Sequence, residues 1–286
     1  MRMHLVRATR PKQWIKNLLV FAVPLASGDL ATGSVVLKSV NAFASFTALS
    51  AATYLINDIR DVAQDRLHPK KKTRPIASGQ LSIRRATVAS IVVGTAGFAL
   101  PIIFGLWNLL AILVAYAILQ AAYQLVLKKV ALLDLVVVSS GFVLRAMAGG
   151  LAAGILISPW FITVTAASAM FIVSGKRFCE FRNHGEHGET RNSLLGYTES
   201  YLRMLWTSSM GLALVFYVLW SVEIGGDGKN WLALLTALPF TLVLLRYAHH
   251  VDSGDAESPE DVVLGDVAIQ VLVLFWALLF AVRVFS

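Results

Sequence analysis

Charge is scarce in this chain. Asp, Glu, Lys and Arg make up 15% of its 286 residues, where a soluble domain carries about a quarter. That shortage excludes an ordinary water-soluble globule for most of the chain. With 57% hydrophobic residues, its solvent is lipid. Cysteine is nearly missing too. Cys179 is the only one, so no intramolecular disulfide can form and the fold rests on helix packing alone. Acids are the rarer sign, 17 Asp and Glu against 25 Lys and Arg, for a formal net charge of +8. In a soluble protein that surplus would suggest nucleic acid. Here the retention of cations on the inner side of a membrane accounts for it without nucleic acid, and an acidic phosphate substrate could share in it. Walker A, GxSxG, HExxH and Rossmann signatures are absent, and His68, His184, His187, His249 and His250 lack a zinc spacing.

What the chain does have is long apolar runs. Nine are long enough to cross a bilayer, over 13–28, 35–56, 85–104, 107–126, 132–154, 158–175, 202–222, 231–248 and 264–284. Backbone groups in lipid must satisfy one another, so these runs predict helices, and their continuous rather than alternating character excludes a β-barrel. The expected fold class is all-α, a polytopic membrane protein, with residues 1–286 as a single helical domain. The basic start and Ala26-Ser27-Gly28 imitate a signal peptide. Lys16 and Asn17 interrupt that run and further spans follow, so it reads as a retained first helix. Only Lys38, Lys229 and Arg283 fall outside if the N-terminus is inside. The positive-inside rule therefore places the loops near 57–84, 127–134, 176–201 and 249–263 in the cytoplasm, in a plasma membrane, and puts the chemistry on that face. Gly150 and Gly154 form a GxxxG spacing, which predicts close helix packing.

Five constellations of polar residues stand out in or near those loops and at the N-terminal end. Asn57-Asp58-Ile59-Arg60-Asp61-Val62-Ala63-Gln64-Asp65 spaces three carboxylates i, i+3, i+7, which one continuous helix would present on one face. Their mutual repulsion invites a divalent cation. Mg²⁺ suits the pattern, because it is typically held by one or two carboxylates plus substrate phosphates; the alternative is a solvated helix end paired with Arg60 and Arg66. The run from Arg66 through Lys70, Lys71, Lys72 and Arg74 to Gly79 fits a polyphosphate beside that metal, or else anionic lipid headgroups. At Arg10-Pro11-Lys12-Gln13-Trp14-Ile15-Lys16-Asn17, the polar Lys16 and Asn17 face either a cavity or, by snorkelling, the interface. Tyr123 and Lys128, with Asp134 opening helix five, offer a ligand contact or a helix-dipole partner, and Arg145 needs a partner inside the bundle. Lys176, Arg177 and Glu180, continuing to Arg191, read either as phosphate ligands or as positive-inside charge. Most of the six acids of 252–266 read as a solvated loop.

These residues carry a resemblance. N-D-x-x-D-x-x-x-D over Asn57–Asp65, followed by Arg74-Pro75-Ile76-Ala77-Ser78-Gly79, resembles the UbiA superfamily of intramembrane prenyltransferases. The resemblance implies nine helices around a cavity open to the cytoplasm and to lipid. The R-P-x-Q-W-x-K-N start, D-R-x-H-P-x-K-x-x-R-P-I-A-S-G, the stretch from Leu127-Lys128 to Asp134, Gly141–Ala146 and Lys176-Arg177 are most similar to members that transfer a phosphoribosyl group. Typical prenyltransferases carry a second D-x-x-x-D after helix six, and here Lys176-Arg177 and Glu180 take its place.

What the resemblance implies is a Mg²⁺-dependent pentosyltransferase with 5-phosphoribosyl 1-diphosphate as donor and a polyprenyl phosphate as acceptor, feeding cell-wall arabinan. Asp58, Asp61 and Lys16 would be catalytic, and Asp58, Asp61 and Asp65 the metal ligands. Asn17, Asn57, Arg66, Lys71, Arg74, Tyr123, Lys128, Asp134, Lys176, Arg177 and Glu180 would bind substrate. The rival within the superfamily is an aromatic prenyltransferase. A transporter is the rival from another class, but the charges gather on one face and no internal repeat is present. Self-association into a homo-oligomer is left open.

Overall fold

In the computed structural model the apolar runs are helices, and all regular structure among the described residues is helical. Those residues are 2–69, 71–184, 194, 196–225 and 230–285; Lys70, His187, Arg191 and Lys229 lie outside them. The chain opens with α1 (Arg2–Ala8). Arg10 follows at φ 54, and Pro11 starts a 3-10 helix over Pro11–Phe21. This continues into α2 (Ala22–Ser27), so the first expected span is a 3-10 segment joined to a short α-helix. The long α3 (Gly33–Arg60) would extend about 42 Å at 1.5 Å per residue, enough to cross the hydrocarbon and emerge. It breaks at Asp61 (φ −91, ψ 8), and α4 (Val62–Leu67) ends before Pro69, which disfavours helix in the residue ahead of it.

The remaining helices are α5 (Ile83–Ile103), α6 (Trp107–Leu125), α7 (Leu133–Ala153), α8 (Pro159–His184), α9 (Glu199–Gly225), α10 (Asn230–Leu235), α11 (Ala237–Ser253), α12 (Pro259–Gly265) and α13 (Val267–Phe285). Among the described residues, seven helical stretches are long and apolar enough to cross a membrane. The expected spans over 13–28 and 158–175 are not among them: the first is split, and α8 is long but ends in a charged stretch that includes Lys176, Arg177, Glu180 and Arg182.

Burial separates the centre from the periphery. Within their most apolar windows α3 and α7 are 56% buried, against 22% for α5 and 11% for α13. The outward faces of α5 and α13 carry Ile91, Val92, Val271, Leu274 and Leu278, apolar side chains that suit lipid. Between α3, α6 and α7, Phe46, Leu109, Leu113, Tyr116 and Ala148 form one core with Val20 of the 3-10 helix. A second core joins Phe171, Phe178, Leu202, Trp206 and Tyr247 across α8, α9 and α11. The 3-10 helix lies against α7 because α7 has no side chains there: a Cβ on Gly149 would sit 1.7 Å from the Val20 carbonyl oxygen, and one on Gly150 2.6 Å from Val23 Cγ1. Close packing at Gly150 is as the spacing predicted. Gly154 instead ends α7 at φ 77 with open space around it.

Candidate functional site

Antiparallel connections bring alternate helix ends together. The junction of α3 and α4, the loop before α5, the turn between α6 and α7, the end of α8 and the start of α12 all contribute charged side chains at one end of the bundle. Ile76 and Leu81 pack with Ala8, Leu55 and Ala86, which tucks the basic loop under the end of α3.

Asp58 is 2% and Asp65 3% exposed. Both are held by guanidinium groups: Arg10 Nη2 lies 2.5 Å and Arg74 Nη1 3.2 Å from Asp58 Oδ1, and the same Arg74 nitrogen lies 2.7 Å from Asp65 Oδ2. The Arg10 guanidinium also stacks 4.8 Å from the Tyr54 ring. The helix break at Asp61 separates the third carboxylate from these two, and Lys128 Nζ approaches its Oδ1 at 3.8 Å. Asp58, Asp61 and Asp65 thus differ in their surroundings. They form a buried pair bridged by arginine and a more accessible partner beside a lysine. Arg66 donates to the Ala77 carbonyl at 3.2 Å and braces the basic loop. Lys71 is exposed, and Asn57 is half-buried with its carbonyl accepting the Asp61 N–H.

A second cluster lies at the ends of α6, α7 and α8. Asp134 is fully buried. It accepts two bonds from Arg177, at 2.7 and 3.2 Å, and one from the Tyr123 hydroxyl at 2.7 Å. Arg177, 2% exposed, also donates to Glu180 at 2.6 Å, and Lys176 lies 3.7 Å from Glu180. Carboxylates thus engage Arg177 on both edges, as a buried cation needs a partner.

A third cluster was not foreseen. Lys16 Nζ lies 3.3 Å from Glu260 Oε2 and donates to Gln13 Oε1, while Gln13 Nε2 donates to Glu260. Lys12 reaches Asp261 at 3.1 Å. The acidic 252–266 segment is thus not wholly a solvated loop. Its helix α12 straps the N-terminal segment, and Asp266 is bonded by Arg246 at 2.7 Å and His250 at 2.6 Å. Burial would raise the Glu260 pKa, but the Lys16 charge and the Gln13 hydrogen bond outweigh it and hold the carboxyl below its usual value. The His250 hydrogen bond, with Arg246 and the Ile269 N–H, holds Asp266 well below the carboxylate range. Arg10 and Glu260 carried no role from sequence. Nothing in the local pattern marks Glu260 among six neighbouring acids.

Among the described residues no three acids, histidines or cysteines surround a common point that could hold a metal ion. The donor chemistry still fits Mg²⁺ shared with a substrate. Asp58 and Asp61 supply hard oxygens, and such a cation is commonly bound by one or two carboxylates completed by phosphate and water. Arg10, Arg74 and Lys128, now paired with those carboxylates, are of the type that would meet the phosphate.

The UbiA prenyltransferase family matches residues 19–279, and the chain, an intramembrane transferase by that match, belongs to that family. It is a multi-pass membrane protein. Decaprenyl-phosphate phosphoribosyltransferase of Mycobacterium tuberculosis (strain H37Rv) is 41% identical over 95% of this chain and 91% of its own length. The protein of that name from Corynebacterium glutamicum is 40% identical over 98% of this chain and 86% of its own. A UbiA homolog from Archaeoglobus fulgidus, solved with GPP and Mg²⁺, shares the fold at TM-score 0.71 and 16% identity, covering 99% of this chain and all of that one.

Proposed function

We propose that this protein transfers a 5-phosphoribosyl group from 5-phosphoribosyl 1-diphosphate to a polyprenyl phosphate, decaprenyl phosphate in the first instance, with release of diphosphate. The observation that carries this reading is the 41% identity to a decaprenyl-phosphate phosphoribosyltransferase over nearly the whole chain. The charged end of the bundle supports it: cations outnumber acids there, and Lys176, Arg177 and Glu180 stand where typical relatives have a second Asp motif.

Asp58 and Asp61, with Asp65 beside them, would hold Mg²⁺ against the donor diphosphate. The metal, when bound, supplies neutralisation of the leaving group. The chain itself must bind and orient. Arg10 and Arg74 exchange part of their carboxylate contact for phosphate oxygens, and Lys128 and Lys16 flank them, so positive groups face the diphosphate as the ribose C1–O bond breaks. Asp134, Arg177 and Tyr123 fix the ends of α6, α7 and α8 that frame the site. The acceptor phosphate is already anionic near neutral pH and attacks C1 from the opposite face without a strong general base. Its prenyl tail lies between helices in contact with lipid. In this reading nine helical passes surround one cavity, the N-terminus is cytoplasmic, and the site faces the cytoplasm of a plasma membrane.

The test is diphosphate release by the purified protein with Mg²⁺, given 5-phosphoribosyl 1-diphosphate with decaprenyl phosphate, or geranyl diphosphate with an aromatic acceptor. Release in the first mixture alone is expected. Release in the second alone would replace this reading with an aromatic prenyltransferase.

A further inference from the structure

The N-terminal segment is a 3-10 helix 11 residues long, where such runs seldom exceed about four. The winding matters to what it presents. At about 3.0 residues per turn, residues three apart point the same way, whereas at 3.6 they diverge by about 60°, and residues six apart by about 120°. In 3-10 register Gln13 and Lys16 both turn toward Glu260, while Asn17 and Val20, 1% and 0% exposed, turn into the bundle. An α-helix over the same residues would swing Lys16 out of line with Gln13.

Something must hold that register, and two contacts from α7 do. Gly149 admits the Val20 backbone. One turn earlier Arg145, 7% exposed, donates from Nε to Asn17 Oδ1 at 2.8 Å. Its other nitrogens reach the Gly141 carbonyl at 2.9 Å, Tyr116 Oη at 2.7 Å and Ser50 Oγ at 3.4 Å. The Tyr116 ring lies 4.9 Å and the Phe142 ring 5.8 Å from the guanidinium carbon. Among the described residues Arg145 forms no ion pair with a carboxylate. A buried cation without one is expensive and is retained in membrane helices where it has work to do. Asn17 is pinned from the other side as well, donating to Thr47 Oγ1 at 3.1 Å.

We infer that Arg145 is a positioning residue: through Asn17 it locks the 3-10 register of the N-terminal segment and so presents Lys16, the residue just before Asn17, to the phosphorylated substrate. This rests on the proposed site, in which Lys16 meets phosphate. The role is to set the direction of a side chain and not to touch substrate.

The test is a double-mutant cycle on the full-length protein, with kcat and KM measured for phosphoribosyl transfer in Arg145→Gln, Lys16→Ala and the double variant. Arg145→Gln should lower kcat/KM roughly tenfold or more, mainly through KM, because an orienting group has shifted. In the Lys16→Ala background the same substitution should change it by less than about twofold, because its effect passes through Lys16. Should Arg145→Gln not fold, Tyr116→Phe keeps the guanidinium and removes only one acceptor; it should give a smaller loss with the same dependence on Lys16. An equal loss in both backgrounds, or wild-type kinetics for Arg145→Gln, overturns the inference while leaving the site standing. Wild-type kinetics for Lys16→Ala overturns both.

Discussion

The Asp134–Arg177 pair offers the sharpest perturbation. Its side chains are 0% and 3% exposed, and Arg177 makes a two-pronged contact with Asp134 at 2.7 and 3.2 Å. Removing one member of a buried pair strands the other, at about 3–5 kcal/mol. The two single variants should differ. Asp134→Asn leaves Arg177 its bond to Glu180, which is 21% exposed, and so falls near the lower figure. Arg177→Met removes the guanidinium from a fully buried carboxylate that still accepts from the Tyr123 hydroxyl, and falls near the upper one. Against unfolding of a chain this size, either loss lowers Tm by roughly 10 °C. The double variant Asp134→Asn/Arg177→Met buries no charge at the site and should recover most of the loss, since buried pairs replaced together are often close to neutral. The assay is thermal unfolding in detergent followed by tryptophan fluorescence, with transfer activity measured on each variant. Losses in the double variant equal to the sum of the singles would refute the coupling. A stable but inactive double variant would return Arg177 to substrate binding.

Three further outcomes follow from the same contacts. Arg74→Ala removes the cation shared by Asp58 and Asp65 and should cost about 2–3 kcal/mol, less than a fully buried pair because Arg74 is partly exposed; Mg²⁺ should then raise its Tm more than that of the wild type, and equal Mg²⁺ shifts would argue against a metal near these carboxylates. Glu260 titrates below its usual value in the folded protein, so its contribution is present above the unfolded pKa and is lost as pH falls through the lower folded pKa. Proteolytic protection of 254–266 should therefore persist through the ordinary carboxylate range and fail only below it, and Glu260→Gln should abolish that acid transition. A Cβ at Gly149 meets the Val20 backbone at 1.7 Å, whereas one at Gly211 meets nothing within 4 Å. Gly149→Ala should accordingly cost about 3 kcal/mol or more and Gly211→Ala should gain about 0.5–1, both read from Tm.

Most of the helical plan was legible in the sequence, because lipid imposes one rule: an apolar run long enough to span must be a helix. Helices α3, α5, α6, α7 and α13 fall within a few residues of the runs that predicted them. The N-terminal run was legible as apolar but not as 3-10, since that winding is imposed by contacts with Gly149 and Arg145, more than a hundred residues away. The clustering of Asp58, Asp61, Arg74, Lys128 and Lys16 at one end follows from charge density in alternate loops. The pairings within it do not. Arg10 bonds Asp58 across 48 residues and Gln13 bonds Glu260 across 247, and a local pattern carries no information on either. The Arg177 pairing is of the same kind: its buried carboxylate lies 43 positions earlier, and the local basic pattern does not point to it.

The central claim is tested most directly by incubating the purified protein in detergent with Mg²⁺, decaprenyl phosphate and 5-phosphoribosyl 1-diphosphate labelled in the ribose. The account predicts a labelled lipid that depends on Mg²⁺ and is lost in Asp58→Ala. No labelled lipid, with an active relative running alongside as control, would contradict it.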